Sequence, residues 1–128
     1  LIDKFNIRFD QTRYSNDTFF STAIGVYAPK ILVSDRIAYI VTTRQGSLTA
    51  DNLKSMEEWQ IRYDTTLRVQ NFLDLNGVRN RRYSFVDFLQ LMYKRDRKKY
   101  IKEFFKLPIK NKRRYLYCLL RQFVLARK

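Results

Sequence analysis

The segment SFVDFLQLMYKRDRKKYIKEFFKL, residues 84–107, decides how the second half of this chain is expected to fold. Its first apolar side chains recur at the spacing of one helix face: Phe85, Phe88, Leu89 and Met92. Ser84 and Asp87 have the spacing of a capping box that opens a helix. After the charged turn at residues 94–99 the same face resumes with Tyr100, Phe104 and Phe105. Pro108 then closes the element, because proline cannot continue a helix.

Helical spacing extends to both sides of this segment. Thr49 can cap an earlier helix that has Asp51 in its first turn. That helix could divide at Thr65-Thr66, and Gly77 is its predicted stop. The periodic positions of that helix are Leu53, Met56, Gln60, Tyr63 and Leu67. A last helix is expected after Asn111, with a buried side formed by Tyr115, Leu116, Leu119, Phe123 and Val124.

The first third of the chain favours strands instead. Phe5, Ile7 and Phe9 alternate with polar residues, which is the period-two pattern of a half-buried strand. Residues 18–28 are rich in β-branched and aromatic side chains and end before Pro29. Residues 31–33 and 37–41 flank Ser34-Asp35 as the two arms of a compact hairpin. These patterns predict a small sheet.

The predicted fold class is therefore α+β, with a small N-terminal antiparallel sheet or hairpin followed by three or four helices. Residues 1–128 form a single domain in this prediction, β-rich and neutral over 1–46, helical over 47–128 and basic from residue 79. Two subdomains meeting near residues 44–48 are the alternative. The single cysteine, Cys118, excludes an internal disulfide and is expected to be a buried thiol.

The positive charge is confined to one part of the chain. Residues 1–78 contain nine Lys/Arg and nine Asp/Glu, whereas residues 79–128 contain seventeen Lys/Arg and three acids, which accounts for the net charge of +14. A neutral block joined to a basic block is typical of a scaffold with a surface for polyanions. Because 45% of the residues are apolar and aromatics are interleaved with the charges, a disordered basic tail is disfavoured.

Catalytic arrangements are largely excluded by residue inventory. The chain has no histidine and one cysteine. A histidine-containing catalytic triad and a zinc site with His or several Cys ligands therefore cannot be built. No glycine-rich phosphate loop is present, and we expect neither enzyme activity nor a cofactor. A metal-dependent nuclease using Asp87, Asp96 and Lys98 is an alternative. However, one helix would hold these residues, with Asp87 about two and a half turns from Asp96.

Basic clusters at helix ends and loops are the candidate binding residues, because long cationic side chains reach phosphate oxygens there. Tyrosines beside them could stack on unpaired bases, with Tyr83 and Tyr117 favoured over Tyr100 and Tyr115. The predicted nucleic-acid-binding residues are Arg79, Arg81, Arg82, Tyr83, Lys94, Arg95, Arg97, Lys98, Lys99, Lys102, Lys106, Lys110, Lys112, Arg113, Arg114 and Tyr117. Reversing the charge of Arg113 and Arg114 together is expected to cripple binding.

The sequence thus predicts a non-enzymatic protein that binds nucleic acid, with RNA preferred over DNA, as a structural component of a ribonucleoprotein such as a ribosome. The alternatives are a protein interaction subunit of a transcription or viral assembly, anchored by Phe19, Phe20 and Trp59, and a DNA-binding protein or nuclease. Neighbouring proteins of an assembly are further expected partners. The absence of a long apolar run predicts an intracellular protein without membrane contact, in the cytoplasm or an organelle.

Overall fold

The computed structural model describes residues 1–40, 55–78 and 83–125, with side chains described as far as residue 122. The described residues form five α-helices and contain no β-strand. The helices are α1 (Thr18–Tyr27), α2 (Met56–Leu75), α3 (Ser84–Arg95), α4 (Arg97–Lys106) and α5 (Ile109–Leu125). The prediction of an α+β fold with an N-terminal sheet is therefore wrong.

The β-rich run of residues 18–28 is helix α1. Ala23 is buried, and Phe19 and Tyr27 both meet Phe72 of α2 edge to face, with ring centroids 5.1 and 5.5 Å apart. Phe19, Ala23 and Tyr27 are spaced by four residues, so a helix places them on one side, where the rings of Phe19 and Tyr27 both reach Phe72. Packing against α2 thus outweighs the β-propensity of the individual residues.

The alternating segment at the N-terminus packs on α1 without forming a strand. Phe5 stacks on Tyr27 at 4.1 Å between ring centroids, Phe9 stacks on Phe20 at 4.0 Å, and Ile7 is buried. Turn hydrogen bonds within residues 1–7 replace a strand ladder. Of the three alternating side chains only Ile7 is buried, while Phe5 and Phe9 stack on rings of α1 and stay 40% and 55% exposed.

The predicted hairpin is also absent from the described part of its range. Residues 31–40 are exposed throughout and contain no strand, and Val41 lies outside the described residues. Leu32, Val33 and Ile37 are each more than 80% exposed. Without a sheet to cover them, these side chains have no apolar surface against which strand pairing could be stabilised.

Helix α2 begins at Met56, where Ser55 accepts a hydrogen bond from the Glu58 N–H at 3.1 Å. The predicted cap at Thr49, with Asp51 and Leu53, lies outside the described residues. The helix runs unbroken through Thr65-Thr66, so the suggested division is wrong. The predicted stop at Gly77 is confirmed: its φ is +68°, and Val78 N–H and Gly77 N–H donate to the carbonyls of Leu73 and Asp74 in a Schellman arrangement.

The segment 84–107 forms two helices separated at Asp96, where one continuous helix was expected. Asp96 is extended, with φ −146° and ψ 91°, and its carboxylate caps α4 by accepting from Lys99 N–H at 3.0 Å. The prediction of a capping box at the start of α3 is wrong. Ser84 is the first helical residue, and the cap residue, Tyr83, makes no side-chain capping bond.

Pro108 separates α4 from α5. It forces Leu107 into an extended conformation, and its own carbonyl accepts from Asn111 N–H and Lys112 N–H in the first turn of α5. The last helix therefore begins at Ile109, slightly before the predicted start. Tyr115 is buried as expected, whereas Leu116 is 51% exposed, and the side chains of Phe123 and Val124 lie outside the described set.

The core lies where α3 meets its neighbours. α3 packs against α2 and α4, and α1 packs against the other part of α2. The buried cluster consists of Tyr63, Phe85, Val86, Leu89, Met92, Leu107 and Tyr115. The apolar face predicted for α3 is confirmed, because Phe85, Leu89 and Met92 are fully buried. The opposite sides of α3, α4 and α5 are left to present the basic residues.

Candidate nucleic-acid interface

The basic cluster at the start of α5 includes a structural ion pair. The Arg114 guanidinium donates to both carboxylate oxygens of Asp74 in α2, at 2.5 and 2.6 Å, and to Asn111 Oδ1 at 3.0 Å. It also lies 4.8 Å from the ring centroid of Tyr83. The side chains of Arg114 and Asp74 are only 15% and 16% exposed. Arg114 therefore holds α5 against α2 and is poorly placed to reach a ligand.

The electrostatics of Asp74 support this assignment. Lys110 Nζ lies 3.1 Å from the same carboxylate, so two cations share one anion. The hydrogen bond from Arg114, opposed by partial burial and reinforced by Lys110, lowers the pKa of Asp74 to about 2. The same contact raises the pKa of Arg114. Asp74 thus neutralises part of the positive charge of Arg114 and Lys110 within the fold.

Two further predicted binding residues are engaged within the molecule. Lys106 Nζ lies 2.9 Å from Oε1 of Glu103, a buried carboxylate. Lys112 Nζ donates to the Phe105 carbonyl at 3.2 Å and lies within 6 Å of the ring centroid of Phe104. The Lys106 pair lies within α4, whereas Lys112 links α5 to α4, and a ligand would have to compete with both contacts.

A second group of cations gathers around the junction of α3 and α4. We call it the junction surface, and it consists of Lys94, Arg95, Arg97, Lys98, Lys99 and Lys102. Lys98 and Lys102 are exposed, lie one turn apart on α4, and make no ion pair or hydrogen bond through their side chains within the described part of the chain. Their side chains are free to meet an anion, as is that of the exposed Lys94.

The two arginines of the junction surface lie over aromatic rings. The Arg95 guanidinium is 5.5 Å from the ring of Trp59, and that of Arg97 is 5.5 Å from the ring of Tyr93. Both side chains stay exposed. Such contacts orient a guanidinium while leaving its N–H groups able to bind a phosphate.

The acids of the basic half do not neutralise the junction surface. Asp96 caps α4 through the Lys99 N–H, and Glu103 is buried and pairs with Lys106. Asp87 is exposed on α3 but forms no ion pair among the described residues. Among the described residues the cations around the junction therefore make no ion pair, and their mutual repulsion costs free energy that a bound anion would recover.

The other predicted binding residues are scattered. Arg79, Arg81 and Arg82 lie outside the described residues. Arg113 and Tyr117 are exposed on the outer side of α5, with Tyr117 58% exposed. Tyr83 lies beneath Arg114 and is not free to stack on a base. The structure thus separates the predicted set into internal contacts, an outer face of α5 and the junction surface.

The residues offered for the alternative functions are differently placed. Trp59 is buried, whereas Phe19 and Phe20 are half-buried and pack on Phe72 and Phe9, so all three side chains are engaged within the molecule. For the nuclease alternative, Asp96 is a helix cap, and the described residues hold no group of three or more potential metal ligands. Asp87 lies in α3 and Asp96 lies between α3 and α4, contrary to the expectation that one helix holds both.

Sequence reasoning missed two features of this half. Tyr93 was not singled out, although it follows the buried Met92 directly and precedes Lys94 and Arg95 at the end of α3. The outer face of α5 was also missed, where Ile109, Leu116 and Leu120 are 72%, 51% and 66% exposed. The apolar residues of α5 surround much of the helix, so periodicity alone could not assign them to the core or to the surface.

The described residues include no helix that is both long and apolar enough to cross a membrane. Cys118 is partly buried beside the core, and burial raises the pKa of its thiol, so it stays protonated near neutral pH. Comparison with known proteins finds no family model, no curated protein and no solved structure that matches this chain.

Proposed function

We propose that this chain binds nucleic acid, with RNA preferred over DNA, as a non-enzymatic structural component of a ribonucleoprotein. The observation that supports the proposal is the uncompensated charge of the junction surface. Lys98 and Lys102 project from one side of α4 without a carboxylate partner in the described chain, and Lys94, Arg95 and Arg97 border them. Phosphates of a nucleic acid backbone are the anions that such a cluster neutralises most effectively.

The arrangement favours recognition of backbone and shape over reading of a duplex groove. The buried face of α3 carries Phe85, Leu89 and Met92, so α3 cannot enter a major groove with that face. The cations come from the end of α3 and from α4, and they form a cluster around a helix junction. Contacts of this kind suit an irregular folded RNA.

The test compares two double variants of equal net charge. Lys98→Glu with Lys102→Glu reverses the junction surface, and Lys30→Glu with Arg36→Glu reverses two exposed cations of the N-terminal segment. Binding is measured for a structured RNA, a single strand and a DNA duplex of equal length across a salt series. The unmodified chain is expected to bind structured RNA most tightly, with affinity that falls steeply as salt rises.

The junction variant is expected to lose affinity for RNA. On single strands, its plot of log binding constant against log salt concentration should be less steep by about 1.4, since each of the two lost phosphate contacts contributes about 0.7. The N-terminal variant should keep the original slope. Equal slopes for the unmodified chain and the junction variant would contradict the proposal. Circular dichroism of both variants checks that the helices persist.

The exposed apolar residues of α5 favour a second candidate, a subunit that docks in a protein assembly. Ile109, Leu116 and Leu120 lie along one side of the helix with Arg113 among them. An acidic protein surface with apolar side chains would complement this face, whereas a second copy of the chain would bring like charges together. This candidate leads if the salt series finds no RNA binding and if Leu116→Asp with Leu120→Asp releases the chain from its native assembly.

A further inference from the structure

An open cavity of about 560 Å³ lies between α3, α4 and α5, directly beside the junction surface. Three tyrosines and one cation contribute to its lining: Tyr93, Tyr100, Tyr115 and Lys94. Its size falls within the range of pockets that bind small organic groups, about 300–1,000 Å³. An aromatic cavity next to uncompensated cations combines the two kinds of surface that unpaired nucleotides require.

The tyrosines form a wall in which one ring is accessible. Tyr93 is 48% exposed and meets Tyr100 edge to face, with ring centroids 5.1 Å apart and planes at 74°. Tyr115 lies deeper, 6.2 Å from Tyr100, and is only 5% exposed. Burial, together with the neighbouring Tyr100 hydroxyl, raises the pKa of Tyr115. Tyr115 is therefore uncharged near neutral pH. The Arg97 guanidinium lies 5.5 Å from the ring centroid of Tyr93, but unlike Arg114 over Tyr83 it is exposed and makes no ion pair among the described residues, so a planar group can take its place on the Tyr93 ring.

Two glutamines place polar groups on the lining of the same cavity. Gln90 of α3 donates from Nε2 to Oε1 of Gln122 of α5 at 3.0 Å. This bond uses one donor and one acceptor of the pair, and the remaining amide oxygen and amide N–H groups make no other hydrogen bond within the described residues. A paired amide with one free acceptor and free donors matches the edge of a nucleobase.

We infer that this cavity holds an unpaired base of single-stranded RNA, stacked on Tyr93 and met at its edge by Gln90 and Gln122. The adjoining phosphates lie against Lys94 and Arg97. The inference rests on the proposed function and adds to it a defined site for one base. An aromatic or apolar side chain of a protein partner would use the same walls, but the bordering cations favour a ligand that brings phosphates with it.

The experiment separates contacts to the base from contacts to the backbone. Affinities are measured for a short single-stranded RNA and for an abasic oligomer of equal length, which keeps the phosphates and lacks the bases. A DNA single strand of the same sequence forms a third arm and reports the role of the 2′-hydroxyl. The unmodified chain is expected to prefer the base-bearing RNA to the abasic oligomer by about 10-fold or more, as stacking on one aromatic ring provides.

Tyr93→Ala should abolish this preference and leave the affinity for the abasic oligomer unchanged, whereas Tyr93→Phe should retain it because the ring remains. Tyr39→Ala is the control, since Tyr39 is an exposed tyrosine of the N-terminal segment that does not line the cavity and is not among the predicted binding residues. Gln122→Ala, at an exposed position, gives an independent loss of affinity for the base-bearing oligomer if Tyr93→Ala does not fold. A 2-aminopurine in the RNA reports stacking directly, through a fluorescence change that Tyr93→Ala removes.

The outcomes distinguish the site from the function on which it rests. Equal affinity of the unmodified chain for the base-bearing and abasic oligomers, with loss of both in the Lys98→Glu, Lys102→Glu variant, would overturn the base site and keep the proposed function. No binding to any oligomer would overturn both. An equal loss in Tyr93→Ala and Tyr39→Ala would also contradict a specific role for the cavity.

Discussion

At the scale of single residues, position in the fold separates cations that look equivalent in the sequence. Arg113 and Arg114 are neighbours in one basic run, yet Arg113 is exposed and Arg114 is bound to Asp74 on both of its oxygens. The double reversal of both residues would therefore disrupt the joining of α5 to α2 as well as any ligand contact. Arg113→Glu alone is the informative change for ligand binding.

Removing the carboxylate of Asp74 is expected to destabilise the chain. Asp74→Asn leaves Arg114 and Lys110 without their partner at a site that is mostly buried, so the free energy of unfolding should fall by about 2 kcal/mol. Urea denaturation followed by circular dichroism measures the change. Asp3→Asn is the control, because its pair with Arg8 is largely exposed and should contribute nothing measurable. Similar effects of the two variants would contradict the structural role of Asp74.

The same carboxylate makes stability depend on pH in a defined window. The pKa of Asp74 is about 2 in the folded chain and near 3.8 when unfolded, so its contribution is complete above about pH 4. As the pH falls from about 4 to about 2, the carboxylate becomes protonated and this contribution is lost. The difference in unfolding free energy between the unmodified chain and Asp74→Asn should shrink across that window. A difference that stays constant down to about pH 2 would argue against it.

At the scale of secondary structure elements, the junction between α3 and α4 is the feature on which the candidate site depends. A single straight helix through residues 84–106 would carry Tyr93 and Tyr100 along one axis, whereas the bend at Asp96 brings their rings to 5.1 Å across the junction. Asp96 stabilises the bend because its carboxylate satisfies the first turn of α4. The cavity and the junction surface both follow from this interruption.

Substitution of Asp96 tests the bend independently of any ligand. Asp96→Ala removes the cap and should lower the free energy of unfolding by about 1 kcal/mol, whereas Asp96→Asn should be nearly neutral, because asparagine caps helices as well as aspartate does. Thermal denaturation of both variants gives the comparison. If asparagine were as damaging as alanine, the negative charge rather than the capping bond would be the stabilising property.

At the scale of the whole molecule, the neutral and basic parts of the chain differ in how their charged side chains are used. α1 and the N-terminal segment pack on α2 through aromatic stacking, with the Arg68 guanidinium paired to Asp10 and lying 4.4 Å from the ring of Phe19. On that side Arg62 and Arg68 are paired with Glu58 and Asp10. The side formed by α3, α4 and α5 leaves cations exposed, so the surface potential is strongly asymmetric and salt should weaken ligand binding more than folding.

The exposed segment between α1 and α2 predicts where the folded chain is first cut. Within residues 29–40 no backbone group hydrogen-bonds to a helix, and Lys30 and Arg36 are exposed. Limited trypsin digestion should therefore cleave after these residues before it cleaves after Arg62 or Arg68 of α2. Mass spectrometry of early time points identifies the sites. First cleavage inside α2 would show that this helix opens more readily than its packing implies.

Local patterns were sufficient for several features of the fold and the site. The helix face of Phe85, Leu89 and Met92 and the stop at Gly77 could be predicted, because helical spacing and the left-handed conformation of glycine are properties of a few neighbouring residues. The location of the net charge was equally evident. The strands over residues 5–9 and 18–28 were predicted wrongly, because their apolar pattern does not specify what will cover it.

Contacts between distant parts of the chain decided the remainder. Asp74 lies forty residues from Arg114, and Gln90 lies thirty-two from Gln122, so no sequence window contains either pair. Which cations are neutralised, and which aromatic rings border a cavity, depend on how α2 to α5 pack. Composition therefore identified a basic polyanion-binding candidate, while tertiary packing separated its structural cations from its free ones, because pairing and burial are set by long-range geometry.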